Sequence, residues 1–188
     1  FYAFSAHKLY GPMGVGVLYG KKKYLDAMPP YHGGGEMIKE VSFEGTTFNE
    51  LPFKFEAGTP SVADVLGFNA AIEYINEIGF DFIEKHEEFL MQYTTEKLLS
   101  LDDITIYGTT PHKAGAISFN IKDVHPFDVG TLLDQMGIAI RTGHHCAQTV
   151  MKHYNIVGTA RVSFGIYTSK EDIDQFIEGL KRAKAMLL

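Results

Sequence analysis

From residue 104 onward the apolar positions change period several times. ITIYG (104–108) and GAISFNI (115–121) alternate as strands, and FDVGTLLDQM (127–136) has the spacing of a short helix ended by Gly137. AIRT (139–142) and ARVSFG (160–165) are further strands. A C-terminal helix follows, opened by a Ser169–Asp172 capping box and striped with Ile173, Phe176, Ile177, Leu180, Ala183 and Leu187. Strands alternating with helices predict an α/β unit whose helices pack on one sheet.

Two long helices precede it. Ser61 caps the first, Val62, Val65, Leu66, Ile72, Ile75 and Ile78 recur at helical spacing, and Gly79 is its C′ residue. The second begins near Phe80, with Phe82, Ile83, His86, Phe89, Leu90, Tyr93 and Leu98 on one stripe; His86 is expected as a packed or boundary residue, not a ligand. GVGVLYG (14–20) predicts a short buried strand. Residues 26–60, with Pro29, Pro30, Gly33, Gly34, Gly35, Gly45, Pro52, Gly58 and Pro60, predict a long irregular segment, and structureless connections of that length are usually functional. A boundary is expected near residue 80, giving domains 1–79 and 80–188. The first part cannot bury a core alone, whereas the second can.

The 188 residues are 45% hydrophobic and 21% charged, the balance of a soluble globular protein. Net charge is −6, and the densest basic run, Lys21–Lys23, is expected in a solvated loop, so nucleic acid is not an expected partner. No apolar run approaches the roughly 20 residues that cross a bilayer, which removes the membrane as a partner. There is no signal peptide pattern, and one cysteine forms no internal disulfide, so a cytoplasmic location is expected. FYAFSAHKLYG has no initiator Met and opens within a strand and turn, as in part of a longer protein.

That cysteine, Cys146, lies in RTGHHCAQ (141–148). It has three readings: a small buried hydrophobe, a metal corner or a nucleophile. His144, His145 and Cys146 are consecutive and diverge on an extended segment, and no second pair of ligands completes a metal site, so no metal is expected. Flanking cations and imidazoles favour a thiolate, and Gly143 lets the backbone turn sharply. In FSAHKLYGPMGVG, Lys8 is either a surface lysine or an amine for Schiff-base formation set beside the donors of Ser5 and His7. The glycines there lack dinucleotide-binding spacing. Arg161 suits either an ordinary ion pair or a two-point grip on a carboxylate.

SAHKLYGPMGVGVLYGKK, PPYHGGGEMI, FEAGTP and RTGHHCA, in this order, resemble the C-terminal half of group II (Suf-type) cysteine desulfurases. These are pyridoxal 5′-phosphate enzymes of the class V aminotransferase family with fold type I architecture. The resemblance covers essentially the whole chain, and group I enzymes carry a different, serine-rich segment around their cysteine. It implies an α/β fold: the end of the large cofactor-binding domain in 1–79 and the small C-terminal domain in 80–188. Lys8 would carry the cofactor covalently, with Ser5 and His7 on its phosphate. Thr59 would reach the phosphate of a neighbouring subunit's cofactor, implying a homodimer, and Gly33–Gly35 would lie at that interface near the site entrance. Arg161 would clamp the substrate carboxylate with Arg141 as a second cation, and Cys146 would take the sulfur of L-cysteine as a persulfide, leaving L-alanine. His144 and His145 remain equal candidates to assist. A sulfur-acceptor protein serving iron–sulfur cluster assembly would be the partner.

In that family the aspartate on the pyridinium nitrogen and the histidine stacked on the ring precede the lysine motif. The chain alone is therefore expected to bind no cofactor and to be inactive, its longer parent being active. Two alternatives stand beside this reading. One is a selenocysteine lyase, acting on L-selenocysteine, or another class V enzyme; the other is a non-enzymatic binding or dimerisation module.

Overall fold

The computed structural model describes every residue except Pro111, His112 and Ala114, and its contacts divide it into two compact units, Phe1–Ile78 and Gly79–Leu188. In the first, β1 (Tyr2–Ser5) pairs antiparallel with β2 (Gly16–Tyr19), and a 3-10 turn, Ala6–Lys8, leaves the end of β1. The strand expected in GVGVLYG forms, but its residues are exposed instead of buried. Two strands make too narrow a sheet to cover a face, so apolarity does not translate into burial on β2.

Lys21–Lys23, expected in a loop, instead leads into a short helix, α1 (Lys22–Ala27), where Lys22 and Asp26 pair at 2.7 Å one turn apart. Residues 26–60 are not structureless either. They hold a hairpin of β3 (Ile38–Val41) and β4 (Thr46–Phe48), closed by the Ser42 N–H donating to the Gly45 carbonyl at 2.9 Å. IKEV and TTF are too short and too polar for alternation to reveal them.

The helix α2 (Val62–Ile78) runs where expected, and the Ser61 hydroxyl donates to the Asp64 carboxylate at 2.6 Å. Its buried face differs: Phe68, Ala71 and Ile75 are buried, whereas Val62, Val65, Leu66 and Ile72 of the expected stripe are exposed. Apolar residues surround much of this helix, so periodicity cannot choose between faces. The choice is made by Ala6, against which Phe68 and Ala71 pack together with Phe4, Leu9 and Val15; Phe4 meets the Phe68 ring edge-on at 6.2 Å.

Gly79 follows the last residue of α2 with a φ of 86°, as expected of a helix end, and is also the N-cap of the helix α3 (Phe80–Leu99), which opens the second unit. The sheet follows in the order β5 (Ile104–Tyr107), β6 (Ala116–Ile121), β8 (Thr159–Ser163), β7 (Arg141–Gly143), antiparallel throughout. Between the strands lie α4 (Pro126–Gln135) and α5 (Gln148–Tyr154), the latter without a counterpart in the sequence reading, and α6 (Lys170–Leu187) ends the chain.

One face of this sheet is the core. Ile117, Phe119, Ile121, Ala160 and Val162 meet Leu90 and Leu98 of α3, Val129 and Leu133 of α4, and Ile173, Phe176, Ile177 and Leu180 of α6. On α3, Phe82 and Phe89 of the expected stripe are exposed, and Met91 and Thr94 are buried in their stead. His86 is half-buried, stacked on Phe82, and donates through Nε2 to the Thr168 carbonyl at 2.9 Å. The capping box forms in full: Asp172 N–H donates to the Ser169 hydroxyl at 3.1 Å, and Ser169 N–H to the Asp172 carboxylate at 2.8 Å.

Leu180 is fully buried in this core, so Leu180→Ala should cost about 2–5 kcal/mol, while Ser169→Ala should cost about 1 kcal/mol. Denaturant melts of the variants check the ranking.

Candidate active site

Ala6 anchors the turn that carries Ser5, His7 and Lys8. It is fully buried, its N–H donates to the Val15 carbonyl at 3.1 Å, and its own carbonyl accepts the N–H groups of Leu9 and Gly11 at 2.8 and 2.9 Å. Gly11 permits this closure: a Cβ there would lie 3.0 Å from the Ala6 oxygen and 2.9 Å from the Phe68 ring. With Ala6 held inward, its neighbours lie at the surface, His7 and Lys8 exposed and Ser5 half-buried. None of these three side chains has a hydrogen-bond partner among the described residues. A hydroxyl, an imidazole and a primary amine within four residues are donors for an anion beside a nucleophile for a carbonyl.

Thr59 is exposed, just beyond Gly58. The Gly58 N–H donates to the Gly35 carbonyl at 2.9 Å, which also accepts from Met37 N–H at 2.8 Å, so the glycine triplet and FEAGTP are one local structure.

In the second unit the sheet face opposite the core is polar. Strand alternation puts Ser118 and Asn120 of β6, Thr159 and Arg161 of β8, and Arg141 and Gly143 of β7 on it. Arg141 and Arg161 are direct cross-strand partners. Like charges so placed destabilise a sheet unless an anion joins them. Arg161 is half-buried, and its Nε is buried with no hydrogen-bond partner among the described residues.

Beyond β7 the chain reverses in a tight turn. Ala147 N–H donates to the His144 carbonyl at 2.9 Å, and the two central residues, His145 and Cys146, have φ of 55° and 59°. Turns with two positive φ values are the province of Asn and Gly, so a histidine–cysteine pair here is strained. The expected divergence holds, though the segment is turned and not extended. His144 Nδ1 lies 3.4 Å from the Gln148 amide, His145 reaches inward to Thr159, and Cys146 is exposed with its Sγ 3.8 Å from an Arg141 Nη.

His145 Nε2 donates to the Thr159 carbonyl at 3.1 Å and meets the Thr159 hydroxyl at 2.9 Å. Burial holds its pKa below the ordinary imidazole value, the Arg161 guanidinium adds to this, and Arg141 and His144 contribute further. The strands converge beneath it, where a Cβ on Gly158 would meet the Gly143 carbonyl at 3.1 Å. Asn120 ties the same corner by donating to the Gly158 carbonyl at 2.9 Å.

Thr159, Gln148 and Asn120 were not singled out in the sequence reading. Thr159 directly precedes a recognised strand, and period two places it on the face of Arg161, which is the signal that finds it. Among the described residues no group of three or more His, Cys, Asp or Glu side chains is arranged to hold a metal ion. Among the described residues no helix is long and apolar enough to cross a membrane.

Comparison with known proteins places these features in a lineage. The family model described as aminotransferase class-V matches residues 1–176. A probable cysteine desulfurase of Halalkalibacterium halodurans is 53% identical over 185 residues, 98% of this chain and 45% of that protein. A cysteine desulfurase of Yersinia pestis is 48% identical over 188 residues, 100% of this chain and 46% of its own length. The chain thus spans a little under half of the curated relatives it matches. Among solved structures, the cysteine desulfurase CsdA (S-sulfonic acid) of Escherichia coli superposes with a TM-score of 0.95 at 40% identity, over 100% of this chain and 47% of that one. The apo cysteine desulfurase of Thermococcus onnurineus NA1 gives 0.93 at 41% identity, over 97% of this chain and 46% of its own. The fold is therefore that of a part of these enzymes, and the chain belongs to the class-V aminotransferase family.

Proposed function

We propose that the protein to which this chain belongs is a cytoplasmic, pyridoxal 5′-phosphate-dependent cysteine desulfurase of group II. It would turn L-cysteine into L-alanine and leave the sulfur as a persulfide on Cys146. The observation that carries the reading is an exposed thiol raised on a strained turn, 3.8 Å from one of two guanidinium groups paired across neighbouring strands. Relatives named cysteine desulfurase at 53% and 48% identity support it.

The uncommitted donors of the first unit fit the cofactor. The Ser5 hydroxyl and His7 imidazole suit its phosphate, and the Lys8 amine suits its aldehyde. When bound, pyridoxal phosphate supplies an electron sink that stabilises negative charge developing at the substrate carbon. The Lys8 amine, which would hold the cofactor, would also be the base that moves the substrate α-proton. Arg161 grips the substrate carboxylate, with Arg141 as the second cation. The nucleophile is the Cys146 thiolate, with an Arg141 Nη 3.8 Å from its sulfur. That thiolate attacks the substrate sulfur: an S–S bond forms, the Cβ–S bond breaks with its electron pair passing to carbon, and protonation yields alanine. An acceptor protein for iron–sulfur cluster assembly then takes the sulfur.

Residues 1–79 form the end of the cofactor-binding domain in this reading, and 80–188 the small domain. Thr59 and the Gly33–Gly35 segment face the partner subunit of a homodimer, where Thr59 reaches the partner's cofactor phosphate.

In the holoenzyme Cys146→Ser should abolish alanine release from L-cysteine, and Lys8→Ala should lower it by about 10²–10⁴-fold. Alanine quantitation reads both, and undiminished release from cysteine in Cys146→Ser would transfer the assignment to a lyase acting on selenocysteine. Arg161→Lys removes the two-point grip and should raise KM for cysteine roughly tenfold or more, as steady-state kinetics would show.

A further inference from the structure

The His144–His145 pair is left unassigned by the reaction above, and the geometry separates its members. We propose that His145 and Thr159 are positioning residues: their contact clamps the strained turn that presents the Cys146 sulfur. The inference rests on Cys146 being the acceptor of sulfur.

The turn has no conformational preference of its own to sustain it. Both central residues occupy the left-handed region, at φ 55° and 59°, which costs a non-glycine residue about 1–3 kcal/mol and persists only where surroundings over-determine it. The surroundings are specific. Thr159 is fully buried on β8, two residues before Arg161, and His145 Nε2 meets both its carbonyl and its hydroxyl. The Gly143–Gly158 approach and the Asn120 bond to the Gly158 carbonyl hold the β7 and β8 ends together below the clamp. The turn is thereby tied to the strand that carries the carboxylate-gripping arginine. A one-residue change at the clamp alters where Cys146 sits relative to Arg141.

The bonding also fixes what His145 does not do. A ring nitrogen that meets a carbonyl oxygen carries the proton, so Nε2 is the donor and Nδ1 is bare. Nδ1 is buried without a partner among the described residues, and a second proton there would place a charge close to Arg161, Arg141 and His144. His145 thus holds the turn without relaying a proton. His144, exposed and with its Nδ1 3.4 Å from the Gln148 amide, is the imidazole open to solvent.

The test uses the full-length protein and the variants His145→Gln, His145→Asn, Thr159→Ser and Thr159→Val. Glutamine sets an amide nitrogen near the position of Nε2 but does not titrate, while asparagine is too short to reach. Iodoacetamide alkylation of Cys146 is followed without substrate, beside kcat and KM for L-cysteine and a thermal melt. His145→Gln and Thr159→Ser should stay within about twofold of wild type in alkylation rate and kcat. His145→Asn and Thr159→Val should each lose roughly tenfold in both, the scale of one lost hydrogen bond to a buried partner, with KM little changed. Their combination should lose no more than either alone.

Equal damage from His145→Gln and His145→Asn would overturn the proposal in favour of proton transfer. Unchanged alkylation in His145→Asn would overturn it outright. Should Thr159→Val fail to fold, the two His145 variants decide alone. The alkylation pattern is read whether or not cysteine is desulfurated. Its appearance in a protein that releases no alanine would sink the proposed reaction and leave the clamp standing.

Discussion

Two guanidinium groups facing one another across β7 and β8 govern the C-terminal unit. Arg141 and Arg161 are cross-strand partners on a face that also bears Ser118, Asn120 and Thr159. A sheet gains nothing from this repulsion by itself. It is tolerated because the opposite face is a continuous core in which Phe119, Ile117 and Val162 interlock with three helices. The alternation of the strands therefore divides the labour: one face supplies stability, and the other spends some of it on a charged surface suited to an anion. The strained cysteine turn leans on that same surface, through a threonine two residues from an arginine.

The N-terminal unit solves a related problem with backbone. Ala6 is buried and its amide and carbonyl are both bonded, while the side chains of Ser5, His7 and Lys8 have no hydrogen-bond partner among the described residues. One small residue anchors three chemical ones. In both units the side chain proposed to react sits near a residue whose bonds hold the local backbone: Ala6 two residues before Lys8, and His145 directly before Cys146.

Much of this was legible in the order of residues. The four strands and the terminal helix of the second unit follow from period-2 and period-3.6 runs, because one side of each element is buried and the other wet. The capping box of Ser169 and Asp172 was legible for a different reason, since its bonds are local. Where burial was not one-sided the pattern misled. The apolar residues of α2 surround most of the helix, and Ala6, distant in sequence, selects the Phe68 face. β2 is apolar yet uncovered, and the β3–β4 hairpin is too short and polar to announce itself. Within the site, motif residues such as Lys8, Cys146 and Arg161 could be nominated from their neighbours. The Thr159 contact could not, because thirteen residues, a helix among them, separate it from His145.

The β1–β2 hairpin has a practical consequence. Among the described residues no third strand pairs with either edge, and Tyr2, Leu18 and Tyr19 are all more than half exposed. Such a ribbon is a template for further strands and an adhesive apolar surface. Handled as a separate polypeptide, the chain is set to self-associate as its concentration rises, and its solubility will track whatever covers those two strands.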